Sequence, residues 1–304
     1  MIKDLVKSFF ASSGIWMLYD VLEHKKVKKD LKYSGLKSIS DFDKKSRKSS
    51  DTIFILGSGY SINNLTAKDW DLIESHDSFG FNSWMFHKHI PTYYGWEISF
   101  KKTYYDAQNR ALASKQGAYK NVPVFMQYQH AVNRSFSLED IAVSEDNLYY
   151  FTPFFPHTTN RSLLKKMVRK KLNSKTKELN EVVNYSGSLS YIIMMCYYLG
   201  YKEIVLLGID LNDPRYWFMR DYDLDEHAQG FKKVHLDYYK ERVGADSMQK
   251  KHATVEKAFT KKFGSLPIDE YIAILKKELE VKGVSLKIGH KGSKLYPMLP
   301  LYEF

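Results

Sequence analysis

The residues best suited to chemistry lie in short polar stretches that interrupt apolar runs. Gly57-Ser58-Gly59-Tyr60-Ser61 follows one such run and precedes Asn63, Asn64 and Thr66. A glycine-rich turn between a strand and a helix lets backbone N–H groups approach a phosphate, aided by the helix dipole. It is equally the composition of an ordinary tight turn. Ile62 breaks the GxGxxG pattern, and no Gly-Lys-Ser/Thr follows. Tyr185-Ser186-Gly187-Ser188 stands ahead of a second apolar segment. It offers either another phosphate-sized helix N-terminus or plain capping by serine. It is not the Gly-x-Ser-x-Gly elbow of a nucleophilic serine. Asp210 follows Gly208-Ile209. At the carboxyl end of a parallel strand it would bond a ribose, bind a cation or cap the next turn. His252 stands where a polar excursion returns to a helical pattern, a place where imidazole could act as a general base near neutral pH.

Other chemistries find less support. Cys196 is the single cysteine among 304 residues. That excludes an internal disulfide framework and a cysteine-cluster zinc site, and points to a reducing compartment. There is no HExxH among the ten histidines, although His76, His87 and His89 are neighbours in sequence. Asp-x-Asp spacing occurs at Asp221, Asp223 and Asp225, in a stretch that reads as a solvated acidic loop. No metal or other cofactor is expected.

The elements that would position these residues alternate strand and helix. Thr52 to Leu56 is a continuous apolar run, as in a strand buried on both faces. A short helix over AKDWDLIE follows, then short strands at 78–82, 92–95, 121–125 and 148–151. Residues 161–177 read as a basic helix. A helix is predicted from Leu189 to Leu199, a buried strand from Glu203 to Leu207, and helices over 252–263 and 269–281. A strand at 284–288 ends the series. The pattern predicts an α/β fold, with a Rossmann-like, mostly parallel sheet flanked by helices. Residues 51–304 would form this single nucleotide-binding domain, and 1–50 a helical, basic N-terminal extension. Residues 212–252 show little periodicity and read as a lid.

Composition sets outer bounds. With 44% hydrophobic residues the chain is not wholly disordered. Its net charge is +11, concentrated in the N-terminal 51 residues and in 161–177. No segment has the roughly 18 apolar residues of a membrane span. The N-terminus is a poor signal peptide, which predicts a cytoplasmic protein. Leu5, Phe9, Ile15 and Leu18 could form one face of an amphipathic helix. That face would either pack on the main domain or rest on the inner face of the cytoplasmic membrane.

Taken together, TIFILGSGYSINNL, FGFN and YSGSLSYIIMMCYYLGYKEIVLLGIDL resemble segments of the bacterial sialyltransferases of glycosyltransferase family 42. The stretch from Leu199 to Asp210 is the most specific match. The resemblance covers about residues 52–100 and 184–263. It implies a GT-A-like variant of the Rossmann fold and a CMP-sugar donor. By that likeness Gly57, Ser58 and Gly59 would line the phosphate and ribose, and Asn82 would touch the nucleotide. Ser186, with Gly187, would hold the phosphate or a sugar carboxylate, and Asp210 would lie beside the nucleoside. Tyr216 and Tyr222 would be lid tyrosines on the leaving phosphate, and His252 would deprotonate the acceptor hydroxyl. The chain departs from the family pattern at Ser58 and Tyr60, at Val182-Val183-Asn184 where an Arg is usual, and at Gly95-Trp96-Glu97.

The implied activity is inverting, metal-independent transfer of a sialic acid-like sugar, whether sialic, Kdo, legionaminic or pseudaminic acid. The acceptor would be a surface glycan of the capsule or lipopolysaccharide kind, free or lipid-linked, and a homo-oligomer is compatible. Two alternatives remain at this point. One is a pyrophosphokinase-like nucleotide transferase, which would require Mg²⁺. The other is a basic nucleic-acid-binding protein, against which stand the missing RNP, zinc-finger and basic-repeat patterns.

Overall fold

The computed structural model describes residues 14–99, 101–133, 141–176, 178–243, 252–257, 260 and 264–304. A seven-stranded, wholly parallel sheet runs through its middle. The strands are β1 (Thr52–Leu56), β2 (Asp77–Phe81), β3 (Tyr93–Trp96), β4 (Val124–Gln127), β5 (Leu148–Phe151), β6 (Glu203–Leu207) and β7 (Ser285–Ile288). Their order is β5-β4-β3-β2-β1-β6-β7. The longer helices are α1 (Ile15–Tyr33), α2 (Ala67–Glu74), α3 (Lys102–Ser114), α4 (Arg161–Leu172), α5 (Leu189–Tyr198), α6 (Glu226–Val243) and α7 (Ile268–Glu280). This is the Rossmann-like α/β architecture that the alternating pattern predicts.

The unbroken apolar runs have a simple cause. Along β1, Ile53 and Ile55 join the core on one face of the sheet, while Phe54 and Leu56 join the core on the other. Along β6, Ile204 and Leu206 are separated from Val205 and Leu207 in the same way. A strand covered on both faces has no solvent side, so polar alternation disappears. Helix α5 is buried at every position from Leu189 to Tyr198.

Several boundaries move from their predicted places; the basic helix expected over 161–177, for example, ends at Leu172, and three shifts have a clear local setting. The strand expected at 121–125 begins at Val124 because Pro123 has no N–H for the ladder; its carbonyl accepts from Tyr94 N–H instead. The strand expected to reach Asn82 stops at Phe81, because Asn82 has φ 53° and opens a 3₁₀ turn, Asn82–Phe86. The helix expected from His252 starts as a 3₁₀ turn, Ala253–Val255, with His252 just before it. Part of that predicted helix lies outside the described residues.

The excursion over 212–252 contains a helix that its weak periodicity did not announce. Residues 226–243 form an 18-residue helix, α6. Ala228, Phe231 and His235 are buried at i, i+3 and i+7, and Phe231 stacks on Phe86 at 4.1 Å. This helical stripe is narrow, and the charged residues around it hide it from a search for periodicity.

The N-terminal extension is docked onto the domain, with Leu31, Ile39 and Phe42 in the core. Ser38 bridges Tyr150, and the Lys37 carbonyl accepts from Tyr150 N–H at 2.8 Å. The segment therefore covers the exposed edge of β5. Leu5 and Phe9 lie outside the described residues. Asp77, buried at the start of β2, accepts from Ser49, Ser50 and Tyr201. It ties the polar linker to the sheet.

Candidate active site

Strand order reverses between β1 and β6. From β1 the chain steps outward through β2 to β5, then returns to the other side as β6 and β7. Ligands of open α/β sheets bind outside the carboxyl ends of the strands at such a switch point. A cleft of about 630 Å³ opens there, within the roughly 300–1,000 Å³ usual for small-molecule sites. The turns after β1, β2 and β6 all line it, through Ser58 and Gly59, Asn82 and Ser83, and Gly208 to Leu211.

Glycine is needed where the first and last of these turns cross. Gly59 N–H donates to the Gly208 carbonyl at 2.8 Å. A Cβ on Gly59 would lie 2.6 Å from that oxygen and 2.7 Å from Asp210 Oδ2. Gly57 makes the same crossing one step deeper, against Gly208 and Ile209, and does not line the cleft. Its predicted contact with the ligand is replaced by a role in backbone packing. Asp210 lines the cleft, but its carboxylate is already engaged. It accepts from Ser61 N–H at 2.9 Å, from the Ser61 hydroxyl, and from His290 Nε2 at 2.9 Å. Asp210 thus braces the glycine turn and joins it to the segment after β7.

Ser58 Oγ and Asn82 Oδ1 are buried without a hydrogen bond. A buried polar atom left unpaired costs about 1–3 kcal/mol. Both atoms stand where a ligand in the cleft could bond them.

The N-terminus of α5 forms the opposite wall through Ser186, Gly187, Ser188 and Leu189. Ser186 and Gly187 both have positive φ, 58° and 145°, which swings the chain into the helix start. No side chain caps α5, so the positive end of its helix dipole stands at this wall, with the Ser190 N–H already taken by the Gly187 carbonyl at 3.1 Å. The Ser186 hydroxyl donates to the Leu266 carbonyl at 2.6 Å. Ser186 therefore offers the cleft its backbone rather than its hydroxyl. Ser188 Oγ donates to the Glu97 carboxylate, beyond the end of β3. His130 Nδ1 lies 3.6 Å from the same carboxylate.

Two histidines line the cleft. His252 is fixed by its own N–H, which donates to the Leu211 carbonyl at 3.1 Å, and its Nδ1 is 2.8 Å from Thr254 Oγ1. Burial lowers its pKa, so the imidazole is neutral near pH 7. His235, on α6, has Nδ1 2.8 Å from the Tyr104 hydroxyl. Burial pushes its pKa down to about 4. A base that weak takes a proton poorly near neutrality, which leaves His252 as the better acceptor.

Tyr216 lines the cleft and is held by backbone contacts. It bridges Gly59, and Trp217 N–H donates to the Ser58 carbonyl at 2.9 Å. Its ring stacks on Phe218 at 5.2 Å. Tyr222 lies elsewhere: it is 64% exposed, has Arg220 over its ring, and is not part of the cleft. The structure thus gathers Ser58, Gly59, Asn82, Ser186, Gly187, Asp210, Tyr216 and His252, and leaves out Gly57 and Tyr222.

Three lining residues escaped the sequence reading. Arg215 lies over the Tyr60 ring at 4.1 Å and pairs with Asp213 at 2.7 Å. His235 and Tyr104 arrive from α6 and α3. Arg215 could have been noticed as a cation five positions after the strand-end Asp210. The other two meet only through tertiary packing.

The remaining histidine and acidic motifs have structural roles. His87 is buried against Trp84, Trp70 and Trp217. Asp221 pairs with Lys232 and Asp223 with Arg220, and Asp225 accepts from Ala228 N–H at the start of α6. Among the described residues no three His, Cys, Asp or Glu side chains gather to hold a metal ion.

No protein-family model matches the sequence, and no curated protein matches it. Solved structures of similar overall course include the sialyltransferase CST-II in complex with a trisaccharide acceptor and CMP. It is 15% identical, with a TM-score of 0.41 over 83% of this chain and 86% of that one. They also include the monofunctional alpha-2,3-sialyltransferase Cst-I from Campylobacter jejuni. It is 16% identical, with a TM-score of 0.40 over 84% of each chain.

Proposed function

We propose that the chain is a glycosyltransferase that moves a sialic acid-like sugar from a CMP-activated donor to a glycan hydroxyl, with inversion and without a metal. The observation that carries this reading is the composition of one cleft. An uncapped helix N-terminus, two unpaired buried polar atoms and a neutral histidine face a common space at the switch point.

The parts divide the work. The leading N–H groups of α5 suit an anionic phosphate. Ser58 Oγ and Asn82 Oδ1 supply a donor and an acceptor for the nucleotide. Arg215 suits the carboxylate of an acidic sugar. The base role requires the tautomer in which Nδ1–H is donated to Thr254 Oγ1, in place of the longer bond that Nδ1 accepts from Thr254 N–H at 3.4 Å; His252 then presents its Nε2 lone pair. The acceptor oxygen attacks the anomeric carbon from the face opposite CMP. The bond from that carbon to the phosphate oxygen breaks with its electron pair, and CMP leaves. The acceptor proton passes to His252. Charge grows on the phosphate as the bond breaks, so fixed N–H groups there help the transition state more than the ground state. The Tyr216 hydroxyl is the candidate donor to the same phosphate from the opposite side.

Two measurements test this. A thermal-shift panel should show stabilisation by CMP and CDP and none by UDP or GDP. His252→Ala should lower turnover on a CMP-sugar by about 10²–10⁴-fold, the usual contribution of a positioned base, while the CMP shift stays. Full turnover in that variant would remove His252 from the reaction. Loss of turnover in EDTA would favour the magnesium-dependent alternative.

A further inference from the structure

Helix α1 is held to the domain by one face only. Asp20 pairs with His157 at 2.8 Å, His24 bonds the Thr152 carbonyl at 2.8 Å, Lys28 pairs with Glu181 at 2.6 Å, and Leu31 is buried. At about 100° per residue, the residues facing away fall in a stripe about 100° wide. Its first half is Ile15, Leu18, Tyr19 and Leu22, which are 49%, 69%, 61% and 66% exposed. Its second half is Lys26 and Lys29, with Lys25 and Lys32 beside one edge of the stripe and Glu23 and Asp30 beside the other, all exposed. The anchoring contacts fix this rotation, so the apolar half cannot turn inward. Four large exposed apolar side chains on one face are unusual for a monomer surface.

We infer that this stripe docks the protein on an anionic lipid bilayer, with the apolar half in the interface and the lysines on the headgroups. The apolar and basic residues follow one another along one face, so the N-terminal half would sit deeper in the interface than the C-terminal half. Among the described residues no helix is long and apolar enough to cross a membrane. A second copy of the chain fits the stripe less well. Paired parallel, the stripes would set lysines on lysines; paired antiparallel, they would set lysines on leucines. An anionic surface satisfies both halves together, with each lysine strengthening the partition about five-fold.

The surface has a definite relation to the cleft. Trp16 stacks on His157 at 5.1 Å, and a Cβ on Gly14 would collide with Leu163 of α4. The Thr158 carbonyl, one residue on from His157, accepts from the Tyr185 hydroxyl at 2.6 Å. Tyr185 adjoins Ser186 in the cleft wall. The apolar end of the stripe is therefore at the carboxyl edge of the sheet, where the cleft opens. Bilayer docking would bring a lipid-linked acceptor to the same side as the catalytic histidine. The docking itself stands without the proposed activity.

The test is co-sedimentation of the full chain with phosphatidylcholine vesicles, with and without about 30 mol % phosphatidylglycerol. The intact chain should pellet with the anionic vesicles and be released as salt screens the lysines. Lys25→Glu/Lys26→Glu/Lys29→Glu should weaken binding more than a hundred-fold, and Leu18→Glu/Leu22→Glu should abolish it. Both variants alter exposed side chains, so their melting temperature and nucleotide-induced shift should match the parent. The inference is overturned if the parent stays in the supernatant, or if the variants pellet as well as the parent. It is also overturned if the parent is a dimer in vesicle-free solution that Leu18→Glu/Leu22→Glu makes monomeric.

Discussion

Ser58→Ala should make the unliganded protein more stable and the liganded one weaker. Ser58 Oγ is buried without a hydrogen bond, and its backbone is already committed, with the carbonyl accepting from Trp217 N–H at 2.9 Å. Alanine keeps the backbone and removes the unpaired hydroxyl. An unsatisfied buried polar group costs about 1–3 kcal/mol, and the methyl that remains leaves little cavity. A gain of about 1 kcal/mol follows, or about 2 °C in melting temperature for a domain of this size. Binding moves the other way. A neutral hydrogen bond contributes about 0.5–1.5 kcal/mol, so affinity for the nucleotide should fall about three- to ten-fold. Differential scanning fluorimetry with and without CMP reads both effects in one plate. A lower melting temperature in the absence of ligand, or an unchanged CMP shift, would refute the idea that this hydroxyl is held in reserve for a ligand. Asn82 is a poorer choice for the same experiment, because its φ of 53° suits asparagine and alanine would add backbone strain.

Gly59→Ala forces a methyl to within 2.6 Å of the Gly208 carbonyl and 2.7 Å of the Asp210 carboxylate. Both neighbours are themselves held, so the cost should reach about 1–3 kcal/mol, read as a lower melting temperature together with loss of the nucleotide shift. Acid should destabilise the fold through His235. Its folded pKa is pushed down to about 4 against an unfolded value of about 6.5. The unfolded chain therefore binds the extra proton first, and stability falls as pH drops from about 6.5 towards 4, by up to about 3 kcal/mol. His235→Gln should flatten that part of a pH series of denaturant melts. An unchanged acid limb would mean that some other group titrates there.

Much of the frame was legible in the chain. TIFIL and EIVLL announce buried strands because neither has a solvent face, whereas the glycines after the first were read as a tight turn and the crossing of the two turns was not foreseen. Ser186, Asp210 and His252 were placed at the cleft by their positions at strand and helix ends. The detail of what each side chain bonds was not legible. The Asp210 carboxylate belongs to Ser61 and His290, the latter 80 residues away, and the Ser186 hydroxyl belongs to Leu266. Tyr104 and His235 meet across 131 residues, a separation on which local spacing is silent. Tyr222 was expected as a second lid tyrosine from the family resemblance. The Arg220–Asp223 pair at 2.9 Å holds that turn instead, and Tyr222 is left in solvent. Helix α6 was missed because its buried stripe of Ala228, Phe231 and His235 includes only one large hydrophobic residue.

The order of the strands also governs how the chain can assemble as it is made. β1 finds one neighbour early, in β2, but its other neighbour, β6, pairs Thr52 with Glu203 across 151 positions. At about 5–20 residues per second, roughly 8–30 seconds pass between synthesis of those two residues. Throughout that interval the most apolar strand of the sheet shows a bare backbone edge. Moving β6 nearer to β1 by circular permutation should shorten that exposure.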